Sequence, residues 1–159
     1  MHYVCVLISQ YKIKMSQDII SLSVWLVYIV PITLFLYTQN PIHVVALIGP
    51  VIAQLSELIK HKIGKRSPRP YGALNCNLMC NDGDKSGQPG MPSGHSIDVS
   101  FFAGFYCQYT NNIIIRFTLI LYAALVMLSR YLKKCHTIGQ ITAGAMIGLG
   151  SSFIIGQIL

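Results

Sequence analysis

A chain of 159 residues that is 53% hydrophobic and only 11% charged has about half the charged fraction of an ordinary soluble domain. Its formal net charge of +7 is small against so much apolar surface. These balances exclude a soluble globular enzyme and give no sign of a nucleic-acid partner; they read as one compact membrane domain.

A bilayer core of about 30 Å needs roughly 20 helical residues at about 1.5 Å each, and the apolar runs are measured against that length in chain order. In residues 1–18 the run YVCVLI is too short to span. No small-residue cleavage site follows a proper apolar core, so a signal peptide is not expected. We read 1–18 as an interfacial lead-in and 19–159 as a single membrane domain. The run 19–37 is uncharged, with Pro31 as an expected kink that neighbouring helices tolerate. The run 42–59 is slightly short and carries Glu57 near its end.

Residues 60–95 form the one long polar stretch, rich in Gly and Pro and expected to be loop over most of its length. The segment 96–109 is too short to cross alone, a length that makes sense if it starts inside a recessed pocket. The run 113–128 follows the turn YTNN, and its only charge, Arg116, lies near enough to its start to snorkel. The last run, 138–159, is rich in small residues, which suits close helix packing in a membrane. The expected fold is an all-α, polytopic membrane helical bundle of about five helices, one of them short, with its active site at one membrane face.

If all five helices cross, eleven of the twelve Lys and Arg residues fall on one side and only Arg116 on the other. The positive-inside rule would make that side cytoplasmic. The rule does not account for Lys62, Arg69 and Arg130 being spaced around two histidines. Brought within about 7 Å, each pair of such cations repels by about 2 kcal/mol at an effective dielectric near 20. Such a cluster wants an anion, and phosphate suits it: Arg grips it bidentately and Lys supplies a point charge.

Three motifs lie in order along the chain: KIGKRSPRP (62–70) fits K-x6-R-P, MPSGH (91–95) contains P-S-G-H, and SRYLKKCH (129–136) fits S-R-x5-H. They resemble the signature motifs of the type 2 phosphatidic acid phosphatase superfamily, a resemblance covering roughly 45–159. It implies a lipid phosphatase that works without metal or other cofactor, and it implies roles. His136 would attack phosphorus and form a phosphohistidine, and His95 would protonate the leaving group. Lys62, Arg69 and Arg130 would hold the equatorial oxygens, joined by the Ser93 hydroxyl and the Gly94 amide. The chemistry is coherent. Imidazole reaches both protonation states near neutrality, and a Pro-Ser-Gly helix start presents N–H groups to an anion.

One position departs from the pattern. The superfamily usually carries aspartate four residues after the nucleophile; here it is Gln140. On a shared helical face its carbonyl can still accept the imidazole N–H and fix the tautomer, but the negative charge is lost. Two readings follow. Gln140 marks either an inactive site on a retained fold or a particular branch. The dolichyldiphosphatase branch resembles this chain in its histidine-threonine and glutamine at these spacings and in a G-M-P-S-S-H motif, against Gly90–His95 here with Gly94 as the one difference. We favour the second reading, an integral-membrane phosphatase cleaving a polyisoprenyl diphosphate to the monophosphate. Phosphatidic acid or a related lipid monophosphate is the alternative substrate.

The remaining polar residues take plainer readings. Asp82 and Asp84 in NDGDKSG suit Asx turns better than a cation site. Asp98 either orients His95 or is a satisfied residue at the pocket mouth. Glu57 is placed to pair with His61 at i+4. Cys76 and Cys80 have the spacing to bond if their loop faces an oxidising lumen, while Cys5, Cys107 and Cys135 look isolated; no metal site is expected. Sidedness stays open between the cytoplasmic face and the lumen of the endoplasmic reticulum that the dolichyl branch implies. A non-catalytic lipid-binding protein and a small transporter are the other function classes.

Overall fold

The structure is a computed structural model that describes residues 15–63 and 66–159. Among the described residues six helices form and no strand does. Helix α1 is Met15–Thr38 with a 3-10 turn at Ser23–Trp25; α2 is the short Ile42–Val45, and α3 is Ile48–Ile63. After the polar loop come α4 (Gly94–Tyr109), α5 (Ile113–Leu132) and α6 (Ile138–Ile158). Four segments, Met15–Thr38, Ile42–Lys60, Ile113–Leu132 and Ile138–Ile158, are long and apolar enough to cross a bilayer. The architecture is the expected all-helical membrane bundle.

Two boundaries differ from the sequence reading. The described chain is already helical at Met15, ahead of the uncharged run at 19, and Asp18 on that helix pairs with Lys133 at 2.5 Å; the rest of the expected lead-in, 1–14, lies outside the described residues. The run 42–59 is not one helix either, because it turns at Ala46 and Leu47 between α2 and α3.

The short segment turns out to be the centre of the bundle. Ten residues of α4 are buried, and α4 packs on α3, α5 and α6, with α6 the most intimate partner. Glycine makes that approach possible. A Cβ on Gly144 would lie 2.5 Å from the Ser93 carbonyl oxygen, and one on Gly148 would lie 2.5 Å from that of Ile97 and 2.8 Å from the Phe101 nitrogen. Helices in lipid gain no hydrophobic drive from meeting one another, so close backbone packing of this kind carries the association. On the other side of α4, Val99, Phe102 and Ala103 meet Val24 and Val27 of α1 and Ala123 and Val126 of α5. Large apolar side chains such as Leu36, Phe117, Phe153 and Ile158 point outward, as a bilayer solvent allows.

The polar loop is more ordered than its Gly and Pro content suggests. It folds as an irregular hairpin whose arms, near 67–75 and 83–90, exchange backbone hydrogen bonds: Arg69 N–H to the Gln88 carbonyl (2.8 Å), Lys85 to Ala73 (2.8 Å), Asn75 to Gly83 (2.8 Å) and Gly90 to Ser67 (3.0 Å). Its turns are built from carboxylates. Asp82 accepts from the backbone of Cys76 (2.5 Å) and Asn77 (3.1 Å), and Asp84 accepts from Ser86. Exposed Asp84 is held below the ordinary carboxylate range by those Ser86 contacts. A disulfide joins Cys76 to Cys135, while Cys80 is unbonded. The reading of Cys135 as isolated is therefore corrected, and the Cys76–Cys80 bond left open by the C-x3-C spacing does not form: the hairpin's first arm brings Cys76 beneath the α5–α6 connection, and Cys80, between the two arms, meets the Lys133 amine at 3.1 Å instead.

Candidate active site

The hairpin, the start of α4, the end of α3 and the α5–α6 connection all meet at one end of the bundle, the end opposite Arg116. They enclose a cavity of about 360 Å³ lined by Gln54, Glu57, Arg69, Gly94, His95, Asp98 and His136, with Cys76–Met79 and Asp82 of the hairpin forming the cover. Two histidines and one arginine from three distant stretches thus face one space.

His136 is the best-defined member. It sits in the turn before α6, and its backbone N–H, like that of Cys135, donates to the Arg130 carbonyl (3.3 and 3.0 Å). Its Nε2 lies 3.1 Å from Arg69 Nη1 and its Nδ1 lies 3.2 Å from Gln140 Oε1. The guanidinium is donor only, so Nε2 must be the acceptor and Nδ1 carries the proton. Gln140's own orientation is fixed as well. Its Nε2 faces three oxygens, Ser67 O and Oγ at 3.0 Å and Pro68 O at 2.9 Å, so its Oε1 is the atom left for the imidazole and for the Thr137 N–H at 3.2 Å. Burial, then the charges of Arg69, Arg130 and Lys60, hold the imidazole well below its ordinary pKa range. It is neutral at neutral pH, with a lone pair on Nε2.

The histidine and glutamine do not meet as i and i+4 on one helix. Helix α6 starts only at Ile138, and the contact comes from a capping box in which the Thr137 hydroxyl accepts from the Gln140 N–H while Gln140 Oε1 accepts from the Thr137 N–H. A glutamine at this third helical position reaches back where an aspartate is one methylene short. The same side chain then clamps the Ser67–Pro68 backbone next to Arg69. That clamp explains Gly90, since a Cβ there would lie 2.6 Å from Gln140 Oε1.

Arg69 also donates to the Cys135 carbonyl at 2.9 Å. Burial draws its guanidinium below its ordinary value, against the pull of Glu57 and Asp82. At the start of α4, Ser93 is the N-cap, its hydroxyl bonded to Ser96, and its N–H donates to the Gln140 carbonyl at 3.1 Å. Gly94 opens the helix at the cavity wall, where a Cβ would approach Glu57 Oε1 to 3.0 Å. His95 follows, with Nε2 buried and without a partner among the described residues; so is Asp98 Oδ1.

Arg130 is placed behind this wall. It is fully buried on α5, where it donates to Ser21 Oγ of α1 and to the Cys76 carbonyl. Lys62 is exposed near the end of α3, whereas Lys60 is 2% exposed and pairs with Glu57. The two lysines are about 200° apart on the helix, so only one faces inward. Glu57 pairs with Lys60; the side chain of His61, the partner expected from the sequence, lies outside the described residues. The sequence reading passed over Lys60, although a signal was present. Gly49, Ala53, Ser56 and Lys60, spaced four, three and four apart, are all buried and form the stripe of α3 that faces α4.

Three motif segments converge on one anion-sized cavity, and the comparison with known families agrees with that convergence. No curated protein and no solved structure matches the chain. The PAP2 superfamily model does, over residues 42–159, the stretch that holds every cavity-lining residue. The chain belongs to the PAP2 superfamily.

Proposed function

We propose that this integral-membrane protein removes phosphate from a polyisoprenyl diphosphate, without a metal, through a phosphohistidine. Membership of the superfamily points to a phosphatase acting on lipid phosphates; the finer reading is ours. The single observation that carries it is the neutral His136, with Nδ1–H directed at Gln140 Oε1 and Nε2 set for attack beside Arg69.

In the proposed sequence Arg69 leaves Nε2 for the terminal phosphate, and Nε2 attacks phosphorus as the bridging P–O bond breaks. His95, buried among cations and so charged only once the substrate's anionic phosphates have entered the cavity, gives its proton to the departing oxygen, which leaves as the lipid monophosphate. The imidazolium of the phosphohistidine is steadied at Nδ1–H by the Gln140 carbonyl. Water then attacks phosphorus, His95 takes its proton, and the P–N bond breaks to restore neutral His136. Charge on the equatorial oxygens is met by Arg69, the Gly94 N–H and the inward cation of α3, because fixed donors stabilise a phosphoryl transition state without reorganising. Arg130 and Ser93 hold the walls in register, and Lys62, exposed near the end of α3, is free to meet the incoming headgroup.

A second reading, a lipid monophosphate substrate, is favoured by Glu57, Asp82 and Asp98 on the cavity lining, which disfavour a second phosphate. The test is phosphate release by detergent-solubilised protein from dolichyl or undecaprenyl diphosphate beside phosphatidic acid, with EDTA present. Activity on the diphosphate that disappears in His136→Ala and His95→Ala supports the proposal. Activity that needs a divalent metal, or that survives loss of both histidines, overturns it.

A further inference from the structure

Two apolar grooves open from the region of the site toward lipid. One, of about 440 Å³, lies between α1 and α3 and is lined by Tyr28, Pro50, Val51, Gln54, Leu55 and Leu58. The other, of about 650 Å³, lies outside the α5–α6 connection and includes Tyr71, Tyr131, Ile138 and His136 itself. Resting on the lipid-phosphatase reading, we infer that the substrate's hydrocarbon chain occupies the α1–α3 groove, with Gln54 as the joint between headgroup and chain.

Continuity is the first ground. Gln54 lines both this groove and the catalytic cavity. It is exposed on α3 in the midst of outward-facing Val51, Leu55 and Leu58, with the Tyr28 side chain as its hydrogen-bond neighbour across the groove, an uncommon place for a polar pair in a lipid-facing surface. A headgroup passing from cavity to groove offers the Gln54–Tyr28 pair an acceptor at the ester, and the leucines a methylene chain beyond it. Helix α3 packs on α4 and more lightly on α6, leaving its Tyr28 side open.

Reaction stereochemistry is the second ground, and it separates the grooves. In phosphoryl transfer the attacking and leaving atoms lie roughly in line through phosphorus. With His136 attacking from the α5–α6 connection, the leaving oxygen and the chain attached to it must point away from that connection. On the α3 and α4 side of the cavity stand Ala53, Gln54, His95 and Asp98. The groove at Tyr131 and Ile138 lies behind the nucleophile and cannot hold the leaving group.

The experiment uses the full chain in phosphatidylcholine vesicles with a long-chain alkyl phosphate carrying a mid-chain diazirine. Photolabel is expected on residues 48–58 and on Tyr28, and it should be displaced by excess unlabelled alkyl phosphate. Label concentrated on 131–139, or spread evenly over the lipid-facing helices, overturns the inference. As a second measurement, Leu55→Trp should lower the ratio of long-chain to phenyl phosphate hydrolysis about tenfold, the scale of a few displaced methylenes, while Ile138→Trp leaves that ratio alone. The reverse pattern, or no change in the ratio for Leu55→Trp, also overturns it. Failure of the phosphatase reading shows separately, as no phosphate release from either substrate whatever the labelling pattern.

Discussion

Gln140→Glu is the most discriminating substitution, because it keeps size and shape while changing one amide to a carboxylate. The wild-type side chain is 1% exposed, and its Nε2 serves Ser67 O, Ser67 Oγ and Pro68 O. In the variant the Ser67 hydroxyl can turn to donate, and the Ser67 carbonyl keeps its bond from Gly90 N–H at 3.0 Å. The Pro68 carbonyl loses its donor. An unsatisfied buried acceptor costs about 1–3 kcal/mol, and if that cost falls on the productive placement of Arg69, kcat/KM drops by a factor of about 5 to 150 at 1.4 kcal/mol per tenfold. The new charge beside Nδ1 acts on pH as well. It favours the imidazolium, so the acid limb of kcat/KM moves to higher pH. The assay is the pH–rate profile of both proteins on one lipid phosphate. A variant with wild-type kcat/KM and an unshifted limb refutes both the clamp and the tautomer argument.

Four further outcomes are expected. Because burial and neighbouring cations depress the folded-state pKa of His136, the unfolded chain binds more protons below about pH 6.5. Wild type should then lose stability by up to about 1.4 kcal/mol per pH unit from this group as pH falls from about 6.5 through the depressed value, and His136→Asn should show a shallower fall in Tm over that window. Cys135→Ser removes a cross-link spanning 59 residues and should cost up to about 4 kcal/mol by loop-entropy reasoning, read by denaturant unfolding; non-reducing peptide mapping that finds Cys76 bonded to Cys80 would falsify the pairing. Lys60→Met should lower kcat/KM more than Lys62→Met, since only Lys60 is buried against Glu57; equal losses count against that assignment. Gly148→Val places a side chain 2.5 Å from the Ile97 carbonyl and should destabilise by about 1–3 kcal/mol, seen as a lower Tm.

What could be read in the sequence was what depends on local pattern. The four long spans follow from apolar run length, and the motif histidines and Arg69 from spacing that folding did bring together. The centrality of α4 was hidden, since its Ser96, Asp98 and Ser100 look polar in isolation, although each is buried. The disulfide was hidden for a different reason. Cys76 and Cys135 are 59 residues apart, and only the hairpin's backbone pairing carries one to the other. That Lys60 is buried and Lys62 exposed follows from helical phase, which a linear motif does not encode. Gln140 was recognised as the partner of His136, but its three contacts to Ser67 and Pro68 depend on a loop 72 or more residues away.

The burial of α4 bears on how the protein is made. Its 16 residues reach only about 24 Å, and they include His95 and Asp98, whose intrusion into hydrocarbon costs a few kcal/mol for a charged carboxylate. Such a segment cannot partition into the bilayer by itself while the ribosome is still at work. It has to wait at the insertion machinery for α5, which follows after only Thr110, Asn111 and Asn112, and enter as a hairpin with it. Helix α6, whose glycines close over α4, comes after them. His136 therefore joins a cavity in which His95 is already in place, so the proposed catalytic pair is complete only once α6 is seated.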